Sequence, residues 1–153
     1  MNENQLVEEI LDHQELYVRV STRYDFNPKG NVTPDAFRPR VNPPKKKDDC
    51  GCKSSDWCKY SSPPKTIDEA ELSEKPYTRC AILNVGSVRK TELMVRHKPS
   101  LYPPNKAHAV YHTKELILPT SDRPLCSRGF YKQPTEQQLD GLAKSASIWP
   151  PKE

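Results

Sequence analysis

Three of the five cysteines in this chain lie within nine residues, at Cys50, Cys52 and Cys58. They follow a run of prolines and lysines over residues 43–47 that is typical of a loop. Cysteines that crowd in a polar loop do not fill a core, so their spacing predicts metal binding, redox chemistry or cross-linking. Zinc takes about four thiolate or imidazole ligands, and a loop can wrap three of them around one ion.

The fourth ligand of such a zinc site would be Cys80, Cys126 or a histidine. Zinc would first order a loop too polar to fold alone, and catalysis would require an open coordination position. The spacing Cys-x-Cys-x5-Cys lacks a partner Cys-x-x-Cys, so exposed cysteines without a ligand remain an alternative. A reactive pair at Cys50 and Cys52 is a second alternative, because the neighbouring lysines favour a thiolate.

Two arginines and three histidines form a second candidate set: Arg19, Arg89, His97, His108 and His112. The predicted catalytic residues among them are Arg19, His97 and His108. Each lies in or at the end of a predicted strand, and paired strands would turn both imidazoles toward one cleft. Imidazole titrates near neutral pH and guanidinium clamps phosphate oxygens, so this set favours anion binding or acid–base work at a phosphodiester. Ser54 and Asp56 would add a hydroxyl and a carboxylate if the cysteine loop folded over the sheet. The alternative is two surface histidines at strand ends.

Three further residues are candidates for binding: Asp56, Trp57 and Asn105. Trp57 either stacks on a nucleic-acid base or anchors its loop in the core. The basic run Lys45–Lys47 is too short to predict nucleic-acid binding firmly, because that function recruits about six or more phosphate contacts.

Composition favours one α+β domain over residues 1–153. The hydrophobic content of 34% is low and the 16 prolines are many, so much of the chain is expected to be irregular. The longest irregular stretch covers residues 38–64 and is rich in lysine, cysteine and proline. A loop of this length inside a compact domain usually serves a function or is disordered.

Charge and hydropathy limit which classes of partner, nucleic acid or membrane, the sequence supports. The 24 basic and 20 acidic residues give a net charge of +4 that is scattered along the chain, which is weak support for nucleic-acid binding. No segment has the roughly 18 to 20 apolar residues that cross a bilayer, and the N-terminus does not have the pattern of a signal sequence. We therefore expect a soluble cytoplasmic protein with no membrane partner, whose odd number of cysteines favours reduced thiols or a metal over a disulfide framework.

Hydrophobic periodicity predicts a mostly antiparallel sheet backed by one or two helices. The expected strands cover residues 16–20, 77–85, 93–97 and 107–112, with a short edge candidate at 116–118. In the fourth of these strands, His108, Val110 and His112 are expected to share one face. The expected helical segments are 3–13, one turn over 33–37, short helices over 68–72 and 86–91, and a C-terminal helix that begins after Thr135 and stops at Pro150.

Several short pieces, taken in order, resemble a family of small bacterial proteins with no established activity. The pieces are Leu16-Tyr17-Val18-Arg19, Ala36-Phe37, Ser54-Ser55-Asp56, Val95-Arg96-His97-Lys98-Pro99, Asn105-Lys106-Ala107-His108-Ala109-Val110 and a closing helix with Leu142-Ala143 before Trp149. The chain departs from the pattern in its Lys- and Cys-bearing insertion over residues 45–52. The resemblance implies one folded domain and marks four residues as functional candidates: Arg19, Asp56, His97 and His108. It does not indicate which reaction, if any, the protein catalyses.

Three functions remain open. The first is a small binding or accessory module that acts through a protein partner, because no strong catalytic motif is present and proline-rich loops suit recognition surfaces. The alternative is a phosphate-directed enzyme that uses Arg19, His97 and His108 for RNA cleavage or ADP-ribosyl transfer. A zinc-ordered nucleic-acid module is a third hypothesis.

Overall fold

The computed structural model of the protein describes residues 6–21, 25–40, 50–71, 79–101, 104–118 and 129–151. The strands are β1 (Glu15–Val20), β2 (Lys53–Trp57), β3 (Arg79–Asn84), β4 (Met94–His97), β5 (Ser100–Leu101), β6 (Pro104–Asn105), β7 (His108–His112), β8 (Leu116–Ile117), β9 (Phe130–Tyr131) and β10 (Ser147–Trp149). The helices are α1 (Pro63–Glu71), α2 (Val85–Lys90) and α3 (Glu136–Ser145), with a 3-10 helix at Pro34–Phe37.

Six strands form one sheet in the order β10-β3-β1-β2-β7-β4, and every neighbouring pair in it is antiparallel. Two small ladders join β5 to β6 and β8 to β9. This arrangement confirms the predicted α+β class with a mostly antiparallel sheet.

One face of the sheet, here called the core face, packs against α2, α3 and the 3-10 helix. Side chains alternate between the two faces of a strand, so every second residue of β1, β3 and β7 points into this layer. The buried cluster on this side includes Leu16, Val18, Phe37, Trp57, Leu83, Val88, Tyr111, Leu139 and Leu142.

The opposite face, here called the second face, is covered by α1 on one side. There Ile67 packs with Tyr17 and the fully buried Cys80 in a small apolar cluster. Farther across the same face, β2 and β7 contribute polar side chains instead. The second face is therefore apolar under α1 and polar beyond it.

Most of the elements expected from periodicity are present. The helix α3 begins after Thr135, whose hydroxyl accepts from the Gln138 amide, while Gln138 Oε1 accepts from the Thr135 amide. This reciprocal pair is a capping box, which fixes the first turn of the helix. The helix ends at Ser145 rather than near Pro150, because the following residues pair with β3 as a strand.

The helix predicted over residues 3–13 is wrong for residues 6–13, which contain no helix; residues 3–5 lie outside the described part of the chain. Leu6 and Val7 are each 69% exposed, whereas Ile10 is buried in the core. The apolar residues therefore do not share one buried stripe, which is the condition that stabilises a short surface helix. The Glu8 amide donates instead to a ring nitrogen of His97.

The irregular stretch predicted over residues 38–64 is also wrong in part, because it contains β2, which lies between β1 and β7 in the sheet. The sequence Lys-Ser-Ser-Asp-Trp has no apolar alternation, so periodicity does not identify it as a strand. Tertiary pairing on both sides overrides its weak propensity. Lys45–Lys47 lies outside the described residues.

Within the described part of the chain, no helix has both the length and the apolar character required to span a membrane.

Candidate functional site

The polar part of the second face is built around the carboxylate of Asp56. This residue lies in the central strand β2 and is only 4% exposed. Its Oδ2 accepts a hydrogen bond from Thr66 Oγ1 at 2.9 Å and lies 3.7 Å from a terminal nitrogen of Arg19. Its Oδ1 accepts from Asn105 Nδ2 at 3.0 Å. A buried carboxylate is tolerated when it is paired and hydrogen-bonded in this way.

Arg19 is held by the same cluster, because its Nε donates to the main-chain carbonyl of Thr66 at 3.0 Å. Its side chain is 35% exposed, so part of the guanidinium still reaches solvent. Asn105 is fixed too, since its Oδ1 accepts from the Ala107 amide at 3.0 Å. Asp56 thus connects β1, α1 and β6, and the predicted residues Arg19, Asp56 and Asn105 lie together.

His108 lies on the same face, directly opposite Asp56 in the pairing of β2 with β7. One ring nitrogen, Nδ1, is 2.7 Å from the Lys98 carbonyl, and the other, Nε2, is 3.2 Å from Ser54 Oγ. Ser54 is exposed and precedes Asp56 by two residues, so both side chains point the same way. Arg19 and His108 each make further contacts as well.

His97 lies on the core face, because it pairs with Ala109 and not with His108. The residue is 3% exposed, and its ring is 5.0 Å from the Trp57 ring and 6.1 Å from the Tyr60 ring. Its Nδ1 accepts from the Glu8 amide at 3.0 Å, and its Nε2 lies 2.7 Å from the Lys106 carbonyl. Because a carbonyl can only accept, Nε2 carries the proton and both ring nitrogens are occupied by main-chain groups.

The predicted set of Arg19, His97 and His108 is therefore not brought together. Arg19 and His108 share the second face, while His97 is on the other side of the sheet. Trp57 is 1% exposed and lies in the core, so it has no surface on which a base could stack, and its indole nitrogen has no hydrogen-bond partner within the described ranges of the chain. Of the two alternatives for Trp57, its position fits the anchor in the core and not a platform for base stacking.

His112 forms a separate contact at the far end of the second face. Its ring stacks on Tyr131 with the ring centres 3.7 Å apart, and its Nε2 accepts from Arg96 Nε at 2.8 Å. Burial lowers the pKa of His112, an effect that the nearby charge of Arg96 reinforces and a main-chain hydrogen bond at Thr113 partly offsets. The ring is consequently held neutral as an acceptor for Arg96.

The cysteines predicted to bind zinc have different environments. Cys50 is disulfide-bonded, whereas Cys52, Cys58 and Cys80 are free thiols. Cys58 Sγ accepts from the Glu15 amide at 3.3 Å. A disulfide sulfur is not a thiolate, so the expectation of reduced thiols is wrong for Cys50 in this structure, and this form offers no ligand there.

Among the described residues, no group of three histidine, cysteine or acidic side chains is arranged to hold a metal ion. Cys126, a candidate fourth ligand, lies outside these residues. A zinc site remains a prediction from the sequence.

Sequence reasoning missed a groove along the outer edge of β4. It has a volume of about 390 Å³ and is lined by residues 7–10 and 95–99 together with Arg89. The Lys98 amide donates to the His108 carbonyl, so in the alternating antiparallel pattern the main chain of Arg96 and Lys98 faces β7. The N–H and C=O groups of Val95 and His97 must then face away from the sheet, into the groove. β4 itself was predicted as a strand. The groove was not predicted, because the sequence does not show that β4 lies at the edge of the sheet.

The N-terminal segment forms the opposite wall of this groove and is pinned to the body of the protein. The Glu8 carboxylate contacts Lys59 and the Tyr60 hydroxyl, and the hydrogen bond from Lys59 lowers the pKa of Glu8. The guanidinium of Arg89 binds the Ile10 carbonyl at 2.7 Å and the Asp12 carboxylate at 2.5 Å. The groove is therefore bounded by fixed elements on both sides.

Comparison of the chain with protein-family models, with curated proteins and with solved structures finds no match.

Proposed function

We propose that this protein is a binding module that holds an extended segment of a partner protein on the open edge of β4. The observation that carries this proposal is the row of outward main-chain groups at Val95 and His97 inside a preformed groove. These groups have no hydrogen-bond partner among the described residues. An extended peptide would supply the missing partners as an added strand, a recurring mode of peptide recognition.

An exposed sheet edge is a liability that proteins usually cover, twist away or protect with charge. β4 is four residues long, and its neighbour on the outer side is the segment 7–10. That segment contacts the His97 ring through the Glu8 amide, and among the described residues it makes no hydrogen bond to the outward main-chain groups of Val95 and His97. Segment 7–10 therefore limits access of a second sheet to this edge, while the groove leaves room for one added strand.

The charges at this edge indicate the chemistry of the partner segment. Arg96 and Lys98 are exposed. Arg96 donates to His112 through Nε and its guanidinium lies over the Tyr131 ring, while its two terminal nitrogens make no hydrogen bond to the described residues. Met94, 42% exposed, lies on the same face as Arg96. An added strand with an acidic side chain beside Arg96 and an apolar one beside Met94 would complement this surface.

The alternative of a phosphate-directed enzyme built on Arg19, His97 and His108 receives less support. His97 is buried on the opposite face from the other two, and both of its ring nitrogens bind main-chain groups. RNA cleavage and ADP-ribosyl transfer remain predictions from the sequence, as do the zinc-ordered loop, the nucleic-acid partner and the bacterial origin. The cytoplasmic location remains a prediction too, and a Cys50 disulfide that persists in the isolated protein would favour an oxidising compartment.

The proposal is tested by selecting peptides from a random 12-residue phage library on the folded protein and measuring their affinity for three proteins. Val95→Pro removes the outward N–H without removing a bond of the β4–β7 ladder, since proline is tolerated at sheet edges. Val95→Ala retains the N–H and is the matched control for lost packing. We expect Val95→Pro to weaken binding at least tenfold relative to Val95→Ala, with both variants shown to be folded by circular dichroism.

Equal peptide affinity of Val95→Pro and Val95→Ala would overturn the proposal. If Val95→Pro does not fold, Lys98→Glu replaces it, because the Lys98 side chain is exposed and outside the core. Acidic peptides should then bind at least tenfold more weakly to Lys98→Glu than to Lys90→Glu, which changes an exposed lysine of α2 away from the groove. Equal loss in these two variants would likewise contradict binding at β4.

A further inference from the structure

We propose that Ser54 is a nucleophile activated by His108, and that the pair transfers an acyl group from esters that carry a negatively charged group. This site lies on the second face and shares only Lys98 with the β4 groove, through the main-chain carbonyl of that residue. It follows from the three-part chain of Ser54 Oγ, the His108 ring and the Lys98 carbonyl, joined at 3.2 Å and 2.7 Å.

The Lys98 carbonyl fixes the tautomer of His108. A carbonyl oxygen only accepts, so the 2.7 Å contact requires the proton to be on Nδ1. In the neutral ring, Nε2 is then the nitrogen without a proton, and it accepts the hydrogen bond of the Ser54 hydroxyl at 3.2 Å. A nucleophile within hydrogen-bond reach of a base, which is itself oriented by a third group, is the arrangement that activates a serine. Here a main-chain carbonyl has the orienting role.

The pair is held on rigid elements and faces solvent. Ser54 lies in the central strand β2 and His108 begins β7, so the paired strands fix the distance between them. The buried Asp56 anchors β2 two residues farther along. Ser54 is itself exposed, so a substrate can reach its hydroxyl without movement of the chain.

Arg19 supplies positive charge on the same face. β1 pairs with β2 so that Tyr17 is opposite Asp56. In this antiparallel register, Arg19 lies two residues along β1 in the direction that leads to Ser54 on β2. Its partly exposed guanidinium is the group that would bind a carboxylate of the acyl part of the substrate.

The reaction proceeds in two balanced halves. Ser54 Oγ attacks the ester carbonyl carbon, its proton passes to His108 Nε2, and the carbon–oxygen bond to the leaving alcohol breaks as that oxygen takes the proton from Nε2. Water then attacks the acyl-enzyme, giving its proton to Nε2, and the carboxylic acid leaves as Ser54 Oγ recovers a proton from Nε2. No metal, oxidant or reductant is required.

The test uses a biotinylated fluorophosphonate, which a nucleophilic serine attacks at phosphorus with loss of fluoride. We expect peptide mass spectrometry to locate the label on Ser54. Labelling should disappear in Ser54→Ala, fall at least a hundredfold in His108→Gln, and remain unchanged in Ser147→Ala, which alters an exposed strand serine elsewhere. The label on another residue, or equal labelling of wild type and Ser54→Ala, would overturn the proposal.

Hydrolysis of two esters tests the part assigned to Arg19. The chain of residues 1–153 should cleave 4-nitrophenyl hydrogen succinate faster than 4-nitrophenyl acetate, and Arg19→Gln should reduce the ratio of the two rates at least tenfold. The rate in wild type should rise with pH through one ionisation that is absent in His108→Gln, a signature that a merely structural histidine does not give. Equal cleavage by Ser54→Ala would contradict the mechanism.

Discussion

His97 and His108 belong to neighbouring strands of one sheet, yet their imidazoles lie on opposite faces of it. The register pairs His97 with Ala109, and residues that are directly paired point to the same face of the sheet. His108 is the neighbour of Ala109 along β7, so its side chain points to the opposite face. His97 is consequently buried against Trp57, while His108 reaches Ser54. His97 therefore belongs to the packed core, and His108 belongs to the polar part of the second face.

Replacement of His97 by phenylalanine should destabilise the protein while leaving the second face intact. The ring packing is kept, but the Glu8 amide and the Lys106 carbonyl lose their partners. We expect the free energy of unfolding in urea to fall by about 2 to 4 kcal/mol, since unsatisfied buried polar groups cost about 1 to 3 kcal/mol each. The exposed His13→Phe is the control and should change it by less than about 0.5 kcal/mol. Equal stability of the two variants would show that the His97 contacts contribute nothing.

Gly51 should not accept a side chain. Its φ is +83°, and a Cβ atom would overlap the main-chain carbonyl of Tyr131, whose amide donates to the Cys50 carbonyl at 3.0 Å. We expect Gly51→Ala to lower the free energy of unfolding by more than about 2 kcal/mol, because strain and overlap add. Gly141→Ala is the matched control, since that residue is in α3 and its Cβ would meet only the Thr91 methyl group at 3.3 Å. A thermal melt in which Gly51→Ala is as stable as Gly141→Ala would contradict this account.

The stability of the protein should decrease as pH falls below neutral, partly because of His112. Burial lowers the pKa of this ring in the folded protein from its ordinary 6.5, so the unfolded chain binds a proton first. The stability it confers is present above the unfolded value and is lost as pH falls through the folded value. Urea unfolding between about pH 8 and pH 5 should show a smaller loss in His112→Gln than in wild type, whereas His13→Gln should retain the wild-type loss. An unchanged loss in His112→Gln would be evidence against a neutral buried ring.

The thiol of Cys80 should resist alkylation in the folded protein. Burial, together with the negative charge of Asp56, raises the pKa of Cys80 to about 12. At pH 8 almost no thiolate is present, and the residue has no exposed surface. Mass spectrometry after iodoacetamide treatment should show Cys58, which is half-buried, modified well before Cys80. Rapid modification of Cys80 without unfolding would mean that α1 does not stay packed on the sheet.

The fold was predictable where side chains alternate. β1, β3, β4, β7 and α3 follow from apolar spacing and from the cap at Thr135, since burial on one face requires that spacing. β2 could not be predicted, because its polar residues are compensated only by partners distant in sequence. The prediction of an N-terminal helix failed for the same reason, because long-range contacts of Glu8 and Ile10 determine the conformation of that segment.

The candidate sites were predictable only in part. Arg19, Asp56 and His108 were identified by residue type, and they do share a face. The pairing of Ser54 with His108 depends on the register of β2 and β7, which no local pattern encodes. The groove at β4 depends on which strand lies at the edge of the sheet, a property of topology and not of β4 itself.

Amide hydrogen exchange of the ¹⁵N-labelled protein tests the central claim of strand addition at β4 most directly. In the free protein, the amides of Arg96 and Lys98 face β7 and should exchange slowly, whereas those of Val95 and His97 have no partner in the part of the chain that the structure describes and should exchange fast. Addition of a selected acidic peptide should slow exchange at Val95 and His97 at least tenfold and leave Arg96 and Lys98 unchanged. If the peptide binds while the amides of Val95 and His97 exchange as before, the partner does not add to β4.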